Sequence, residues 1–496
     1  VRALISVYDK TGITTLAKEL VELGYELLST GGSLKTLKEA GCPVTAVEEV
    51  TGFPELLGGR VKTLHPAIHA GILARKDDPE HIRQIRQQGI EPIDLVVCNL
   101  YPFEEGLKKN LPFPEMIELI DIGGPTMIRS AAKNYSSVLV LSSQKQYEEF
   151  IARSKENRLD AEYRKRLAAA AFSHCAGYDA RIANYLNQEL FPDELHLSFV
   201  RKEILRYGEN PHQEAAFYTD PLMPGLLSEA ELLGGKALSY NNLRDADAAI
   251  GLALSFEEGV CVAVKHCTPC GVGRAETAFE AYELAYSCDP VSIFGGIVAF
   301  NQEVDAATAE KMNEIFLEIV AAPSFTQEAL DVLKKKKNLR ILLLKGTPSD
   351  RPVMTSVDGG LLLQSPDHDL YEKLEVVSEK QPTKEQLEGL LFAFRVVKYA
   401  KSNAIVVSDG KKAAGIGAGN VNRIDATKIA LERGQGGTLL ASDAFFPFDD
   451  VVEEAARMGI EAIIQPGGSI QDQASIDACN RHGIVLVFTG MRHFRH

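Results

Sequence analysis

The sequence predicts an α/β protein of two functional units, the larger made of two similar lobes, and three observations carry that expectation. At 496 residues the chain is about three times the usual ~150-residue domain. Short β-rich runs alternate with amphipathic helical stretches through Leu141. Two later stretches share one rhythm, a buried-strand run followed by a glycine-containing turn.

In the first unit Ala3–Tyr8 reads as a strand. Leu16, Leu20 and Leu23 then recur at helical spacing, and Gly24 closes that helix. Tyr25–Ser29 is the next strand, Ser33–Ala40 a short helix and Val44–Val47 a third strand. Leu95–Leu100 and Val138–Leu141 add two more, and strands separated by helices predict a parallel sheet with crossover helices. A helical pattern runs from Asp160 to Glu189. The segment Phe191-Pro192-Asp193-Glu194-Leu195-His196 breaks it, which places the expected boundary at residue 196, giving domains 1–196 and 197–496. Beyond it, Gly259–Val264 followed by Lys265-His266, and Ala404–Ser408 followed by Gly415-Ile416-Gly417-Ala418-Gly419, suggest an internal duplication. Thr326–Lys337 reads as a helix ending in four lysines, whose charges suit a helix C-terminus.

Composition narrows the function. With 45% hydrophobic and 24% charged residues the chain is of ordinary globular type. Its formal net charge of −15 repels phosphate backbones at long range, so no nucleic-acid polymer is expected as a partner. Anionic small ligands would need local cationic pockets. The longest stretch without an ionisable residue, Pro290–Gln302, is far short of the ~20 apolar residues of a membrane span. The N-terminal run lacks a long apolar signal region, and the eight cysteines lie mostly within apolar runs. A cytoplasmic protein with free thiols is the expectation.

Several segments carry chemistry. Ser6-Val7-Tyr8-Asp9-Lys10-Thr11-Gly12 and Ser29-Thr30-Gly31-Gly32-Ser33-Leu34-Lys35 are strand-to-helix turns, either anion cradles or plain tight turns. Gly58-Gly59-Arg60-Val61-Lys62-Thr63-Leu64-His65-Pro66 packs cations, imidazole and hydroxyl together; a zinc reading of His65 and His69 fails on Pro66 and on the missing HExxH glutamate. Asp121-Ile122-Gly123-Gly124 opens a helix, with Asp121 either its N-cap or a catalytic group. In the second unit Lys265-His266 ends a buried strand; His266 is the candidate base, and a turn or bulge must bring both side chains to one pocket. Cys267 and Cys270 form a lone CxxC without the second pair a zinc site needs.

In order along the chain, Ser-x-x-Asp-Lys-Thr-Gly, Thr-Gly-Gly-Ser, Gly-Gly-Arg-Val-Lys-Thr-Leu-His-Pro, Asn-Leu-Tyr-Pro-Phe, and Asp-Ile-Gly-Gly with Ala-Ala-Lys-Asn resemble the inosine monophosphate (IMP) cyclohydrolase domain. That domain belongs to a bifunctional purine-biosynthesis family. Its other half is 5-aminoimidazole-4-carboxamide ribonucleotide (AICAR) formyltransferase. Leu205-Arg206-Tyr207-Gly208-Glu209-Asn210-Pro211-His212, Val264-Lys265-His266-Cys267, Ser402-Asn403, Gly417-Ala418-Gly419 with Arg423, Ser442-Asp443-Ala444-Phe445-Phe446-Pro447-Phe448 and Met491–His496 extend the resemblance over essentially the whole chain.

The resemblance implies a methylglyoxal-synthase-like parallel-sheet domain followed by tandem cytidine-deaminase-like lobes. It implies formyl transfer from 10-formyltetrahydrofolate to AICAR, then closure of formyl-AICAR to IMP with loss of water, and no tightly bound cofactor or catalytic metal. Lys62 and Tyr101 would polarise the formyl oxygen, and Asp121 and Lys133 would manage the amide and its proton. Ser6, Lys10, Thr30, Gly31, Gly32 and Ser33 would cradle the phosphate, with Arg60, Thr63, Asn99 and Gly123 completing that site. For formyl transfer it implies Lys265, His266 and Asn403 as catalytic residues. Arg206, Tyr207 and Arg423 would hold the ribonucleotide, Phe445 and Asp450 would lie by the folate, and Arg492 and His496 would contribute further. Family members form homodimers with shared formyltransferase sites. The competing readings are a ligand-sensing module, which would not need Lys62, Tyr101, Lys265 or His266, and a deaminase-like hydrolase, for which Pro269-Cys270 lacks its second cysteine.

Overall fold

A computed structural model describes residues 1–496, which divide into two compact units, Val1–Ser198 and Phe199–His496. The first unit is a five-stranded sheet of β1 (Arg2–Ser6), β2 (Glu26–Ser29), β3 (Val44–Ala46), β4 (Leu95–Cys98) and β5 (Leu139–Leu141). Its order is β3-β2-β1-β4-β5, and every neighbouring pair is parallel. Runs such as Leu95–Cys98 are buried throughout because helices cover both faces. The order reverses between β1 and β4, and in such sheets ligands bind at the C-terminal strand ends beside that reversal.

The strands are shorter than the apolar runs suggest. Tyr8 lies beyond β1, since the Val7 N–H is satisfied by the Ser33 hydroxyl and the Tyr8 N–H by Asn99 Oδ1, neither of which belongs to the ladder. The second helix starts at Gly31, two positions before the expected Ser33, with Thr30 extended at its N-cap. The Ala161–Leu186 helix buries Tyr163, Leu167, Ala168, Ala171, Cys175 and Tyr178 into the unit's core.

The second unit opens with the antiparallel pair β6 (Val200–Leu205) and β7 (Ala215–Thr219). Its first lobe contains β8 (Glu231–Gly234), β9 (Val260–Lys265), β10 (Thr268–Arg274), β11 (Ile297–Phe300), β12 (Ile319–Ala322) and β13 (Arg340–Leu343), in the order β10-β9-β11-β12-β13-β8. A second hairpin, β14 (Val353–Val357) with β15 (Gly360–Gln364), precedes the second lobe. That lobe contains β16 (Glu375–Val376), β17 (Ile405–Ser408), β18 (Gly415–Gly417), β19 (Leu439–Ser442), β20 (Ala462–Gln465) and β21 (Val485–Phe488), in the order β16-β21-β20-β19-β17-β18.

Read from the opposite edge, the second order is the first. In each sheet the two central pairs, β11-β12-β13 and β19-β20-β21, are parallel, and the flanking pairs are antiparallel. The duplication extends to side chains. A Cβ at Gly271 or Gly273 would strike the carbonyls of Ala285 or Ala281, and one at Gly415 or Gly417 those of Ala430 or Ala426. Both lobes thus use a Gly-x-Gly strand against an Ala-x-x-x-Ala helix, where only hydrogen lets the backbones approach. The helices Tyr240–Ala253 and Lys384–Lys398 share one apolar core with the facing sides of both sheets. The lobes also meet edge to edge, the Ala413 N–H donating to Val272 O at 2.9 Å.

One expected element is shorter. The helix begun at Thr326 ends at Leu333, and Lys334–Lys337 lie beyond it, with the Lys336 ammonium donating to the Ile315 carbonyl. Tertiary bonding to that carbonyl replaces continued helix. No helix of the chain is long and apolar enough to cross a membrane.

Candidate active sites

A cleft of about 570 Å³ opens at the C-terminal ends of β1, β2 and β4. It gathers Ser6, Lys10, Thr30, Gly31, Gly32, Ser33, Arg60, Lys62, Thr63, Asn99, Tyr101, Asp121 and Gly123 from segments far apart in sequence. Thr30 makes no side-chain cap, so the first N–H groups of the Gly31–Glu39 helix face the cleft with their partial positive charge. A Cβ at Gly31 would meet Lys62 Nζ at 3.0 Å, and one at Gly32 would meet Lys10 Cε at 3.3 Å. Gly31 also has φ +52°, which favours glycine. Two ammonium groups stand beside these uncapped amides, a local concentration of positive charge on an acidic chain.

Beside it stands a half-buried phenol. The Tyr101 ring packs edge-on to Tyr8 at 5.7 Å, and burial, with Asp121 and Glu55 nearby, raises its phenol above the ordinary value. It is therefore a neutral hydrogen-bond donor. Burial also raises Asp121, against the opposing pull of the Gly124, Tyr101 and Gly123 amides and of Lys62. Asp121 Oδ1 accepts from Gly124 N at 2.8 Å just before the Gly123–Lys133 helix, whose N-cap position is Ile122, and the residue also lines the cleft. Its own N–H donates to the Tyr178 hydroxyl at 2.8 Å.

Other cleft residues are committed to building the walls. Ser33 Oγ accepts from Val7 N and donates to Val7 O, so its hydroxyl is spent and only its backbone is free for a ligand. Asn99 holds the Tyr8-Asp9 turn through both ends of its amide. Arg60 is paired with Glu118 at the exposed rim.

Lys133 stands apart from this cleft within one chain. It ends the helix that Gly123 begins, and ten residues at 1.5 Å rise put its backbone about 15 Å from that start. It lies in a different groove with Arg129, Tyr135, Lys165 and Phe172, so the expected grouping with Lys62, Tyr101 and Asp121 is not formed within the chain.

In the second unit a cavity of about 300 Å³ lies between the lobes. Lys265 and His266 line it with Cys270, Cys288, Asp289, Asn420 and Arg433. The expected turn exists. Lys265 pairs with Thr268, and His266 and Cys267 form the two-residue link with φ +53° and +58°. Both values lie in the left-handed region that primed hairpin turns require. Lys265 Nζ donates to Phe294 O at 2.8 Å. Asn403 stands behind the lining, donating through Nδ2 to Asn420 O at 2.9 Å. Asp289 is held below its ordinary value: burial would raise it, but Ser292 donates through both hydroxyl and N–H, and Arg433 lies 3.9 Å away.

Arg423 is 6% exposed, and its guanidinium donates to Asp443, Ser442 Oγ, Ala404 O and Asn403 Oδ1. Within one chain it holds Asn403 and does not line the Lys265–His266 cavity. Arg206 and Tyr207 stack on one another at 5.3 Å in a separate loop after β6. Phe445 is partly exposed, and Asp450 lines a further groove with Lys428, Glu453, Arg457 and His482. Arg492 stacks on Phe494 at 4.4 Å, and His496 lies beside the same ring. None of Arg206, Tyr207, Phe445, Asp450, Arg492 or His496 lines the Lys265–His266 cavity within one chain.

The sequence reasoning missed Glu55, 3.5 Å from Lys62, and Tyr178, Asp443 and His493. His493 is 1% exposed, with its ring nitrogens on Asp367 and Leu370 O. Asp443 and His493 stood inside recognised motifs; Glu55 and Tyr178 had no local signal. The lone CxxC is not a metal pair, since Cys267 Sγ donates to Asp245 and Cys270 Sγ to Ala263 O. No group of three or more His, Cys, Asp or Glu converges as a metal site.

Comparison with known proteins agrees with this geometry. A family model described as AICARFT/IMPCHase bienzyme matches residues 131–433, and one described as MGS-like domain matches residues 12–126. The bifunctional purine biosynthesis protein PurH of Clostridium perfringens is 54% identical over all of this chain and 99% of its own length. PurH of Clostridium botulinum (strain Kyoto / Type A2) is 55% identical over the same shares. A solved structure described as "Crystal structure of ForH" covers 38% of this chain and 96% of its own, with 35% identity and a TM-score of 0.34. With a methylglyoxal-synthase-like sheet in its first unit and near-complete kinship to PurH, the chain belongs to the AICARFT/IMPCHase bienzyme family of purine biosynthesis.

Proposed function

We infer that the two activities of this bifunctional enzyme, AICAR formyltransferase and IMP cyclohydrolase, occupy the two clefts described above. Cyclisation is assigned to the first. The observation that carries the assignment is the convergence of Lys62, Tyr101 and Asp121 beside the uncapped Gly31–Glu39 helix. The 5′-phosphate of formyl-AICAR would sit on the Gly31–Ser33 amides, between the Lys10 and Lys62 ammonium groups. Its carboxamide nitrogen then attacks the formyl carbon within the same molecule, so holding the near-attack geometry supplies much of the rate. Lys62 and the neutral Tyr101 phenol would stabilise the developing oxyanion, and Asp121 would take the amide proton. The protonated carbinolamine would then lose its hydroxyl as water to leave the closed ring.

Formyl transfer is assigned to the cavity between the lobes. His266 would remove the AICAR amine proton as the nitrogen attacks the formyl carbon, Lys265 would stabilise the tetrahedral oxyanion, and Asn403 would orient the formyl group. The intermediate would then collapse by breaking the bond from that carbon to the donor's nitrogen, which takes up the proton as it leaves. The formyl donor in this reading is 10-formyltetrahydrofolate, used as a cosubstrate, and the protein works in the cytoplasm. The working assembly is a homodimer. Its partner subunit would bring together groups that lie apart in one chain, Phe445 and Asp450 among them, and such an assembly is also the route by which Lys133 could serve a cleft.

Replacing Lys265 or His266 by Ala should abolish formyl transfer while full-length protein still cyclises supplied formyl-AICAR. Loss of both activities together would contradict the two-site assignment.

A further inference from the structure

The hairpin that carries His266 is built against its own preference. Both residues of the two-residue link adopt left-handed φ values that Asn and Gly tolerate and that cost other residues about 1–2 kcal/mol each. Strain of this kind persists where surrounding structure over-determines it. Here the restraint is visible. Asp245 Oδ1 accepts the Cys267 N–H at 2.7 Å and the Cys267 thiol at 3.2 Å. The thiol is available as a donor because burial and the Asp245 carboxylate both raise its pKa.

Asp245 lies on the Tyr240–Ala253 helix, whose buried Leu243, Ala246, Ala249 and Ile250 fix it in the unit's core. Asn241 lies four residues before Asp245 on the same helix face, and Arg244 is Asp245's neighbour, three residues after Asn241. Asn241 Nδ2 donates to Glu209 O at 3.1 Å, and Arg244 is paired with the Glu209 carboxylate. Glu209 follows the Arg206-Tyr207 loop directly. One turn of this helix, Asn241 to Asp245, therefore touches both the nucleotide-binding candidate loop and the His266 turn.

We propose that Asp245 is a positioning residue for formyl transfer, fixing the left-handed His266-Cys267 turn, and that the adjacent Arg244 sets the Arg206-Tyr207 loop in register with it. The proposal rests on the reading that His266 acts in formyl transfer. Asp245 touches no reacting atom; it acts through the turn.

The test uses full-length enzyme, with formyl transfer measured as kcat and AICAR KM and cyclisation of supplied formyl-AICAR as the control for intact protein. Asp245→Ala should lower the transferase kcat by about 100-fold, the scale of a catalytic group misplaced by about 1 Å, with little change in KM. Asp245→Asn keeps an oxygen acceptor for the Cys267 N–H and should recover most of that loss. Adding Cys267→Gly to Asp245→Ala should also recover activity, since glycine holds the left-handed turn unaided. Arg244→Ala should instead raise the AICAR KM more than it lowers kcat. Wild-type kcat in Asp245→Ala, equal losses in the Ala and Asn variants, or no recovery with Cys267→Gly would overturn the proposal. Transfer surviving in His266→Ala would overturn the assignment beneath it, a separate outcome.

Discussion

Arg423 is closed on Asp443 inside the second lobe, one 6% exposed and the other fully buried, and the pair holds Asn403 in place. Asp443 also accepts the Ser402 hydroxyl at 2.6 Å, and its carbonyl accepts the His493 N–H at 3.0 Å. The Ser402-Asn403 corner and the helix begun by Arg423 therefore share one buried carboxylate, and the C-terminal segment is tied to the backbone of the same residue. A charge pair this deep is weak evidence for stability in itself, because both ions lose their hydration. Its role here is to give Asn403 one orientation.

Breaking the pair from one side leaves the other charge buried and alone. Asp443→Ala should destabilise the second unit by about 3–5 kcal/mol, read as a lowered denaturant midpoint for that unit. Replacing Arg423 by Met and Asp443 by Leu together should cost much less in stability yet still lower formyl transfer, since Asn403 loses its anchor. A double variant as unstable as Asp443→Ala would refute the argument from an unpaired charge.

The raised pKa of Asp121 sets stability against function. Its carboxyl is raised by burial, so deprotonation is harder in the folded chain than in the unfolded one. The sign follows from linkage. Below the unfolded-state value both states are protonated and the site costs nothing; as pH rises through the folded value, stability is lost, by about 1.4 kcal/mol for each unit separating the two. Asp121→Asn keeps an acceptor for Gly124 N and removes that loss. It should melt higher than the parent protein at pH 7, the gap closing as pH falls through the ordinary carboxylate range, and should lose cyclohydrolase activity. A gap independent of pH would show that the carboxylate is not the source.

Much of this was legible in the sequence, and the exceptions share a physical cause. Buried runs such as Leu95–Cys98 announce a parallel sheet because neither face meets water. The doubled Gly-rich turns hinted at two lobes whose topology is now seen to repeat strand for strand. Burial of Arg423 was illegible because an arginine in a motif looks the same whether it faces a ligand or an aspartate twenty residues on. The separation of Lys133 from the cleft within one chain was hidden too, because motif spacing conceals distance along a helix. The left-handed His266-Cys267 turn carries no Asn-Gly signal, since Asp245 supplies from another element what glycine would supply locally.

The repeated glycines predict paired effects. Gly417→Ala in β18 and Gly273→Ala in β10 each drive a methyl into a helix carbonyl, Ala426 O or Ala281 O. Overpacking on this scale should cost about 1–3 kcal/mol in either lobe. Gly251 is the contrast. It lies inside the Tyr240–Ala253 helix, where a Cβ would meet only Tyr399 at an ordinary 3.5 Å. Gly251→Ala should stabilise by about 0.5–1 kcal/mol through helix propensity. Chemical denaturation of the three variants ranks them directly, and Gly417→Ala at wild-type stability would mean the strand and helix are not so closely apposed.

The first unit should work alone. Its hydrophobic core draws every member from residues before Ser198, and its last segment is tied back onto the Ala161–Leu186 helix by Asn184 Nδ2 donating to His196 O at 2.9 Å. A Val1–Ser198 fragment should fold cooperatively and cyclise supplied formyl-AICAR without any formyl transfer. A fragment ending at Ala176 removes Tyr178, whose hydroxyl accepts Asp121 N–H and donates to Leu119 O at 2.6 Å. That cut leaves a buried backbone donor without its partner at the candidate catalytic carboxylate, a loss of about 1–3 kcal/mol beside the lost apolar burial. The shorter fragment should therefore lose activity even where it remains soluble, and equal cyclisation by the two would place the boundary of the functional unit before Tyr178.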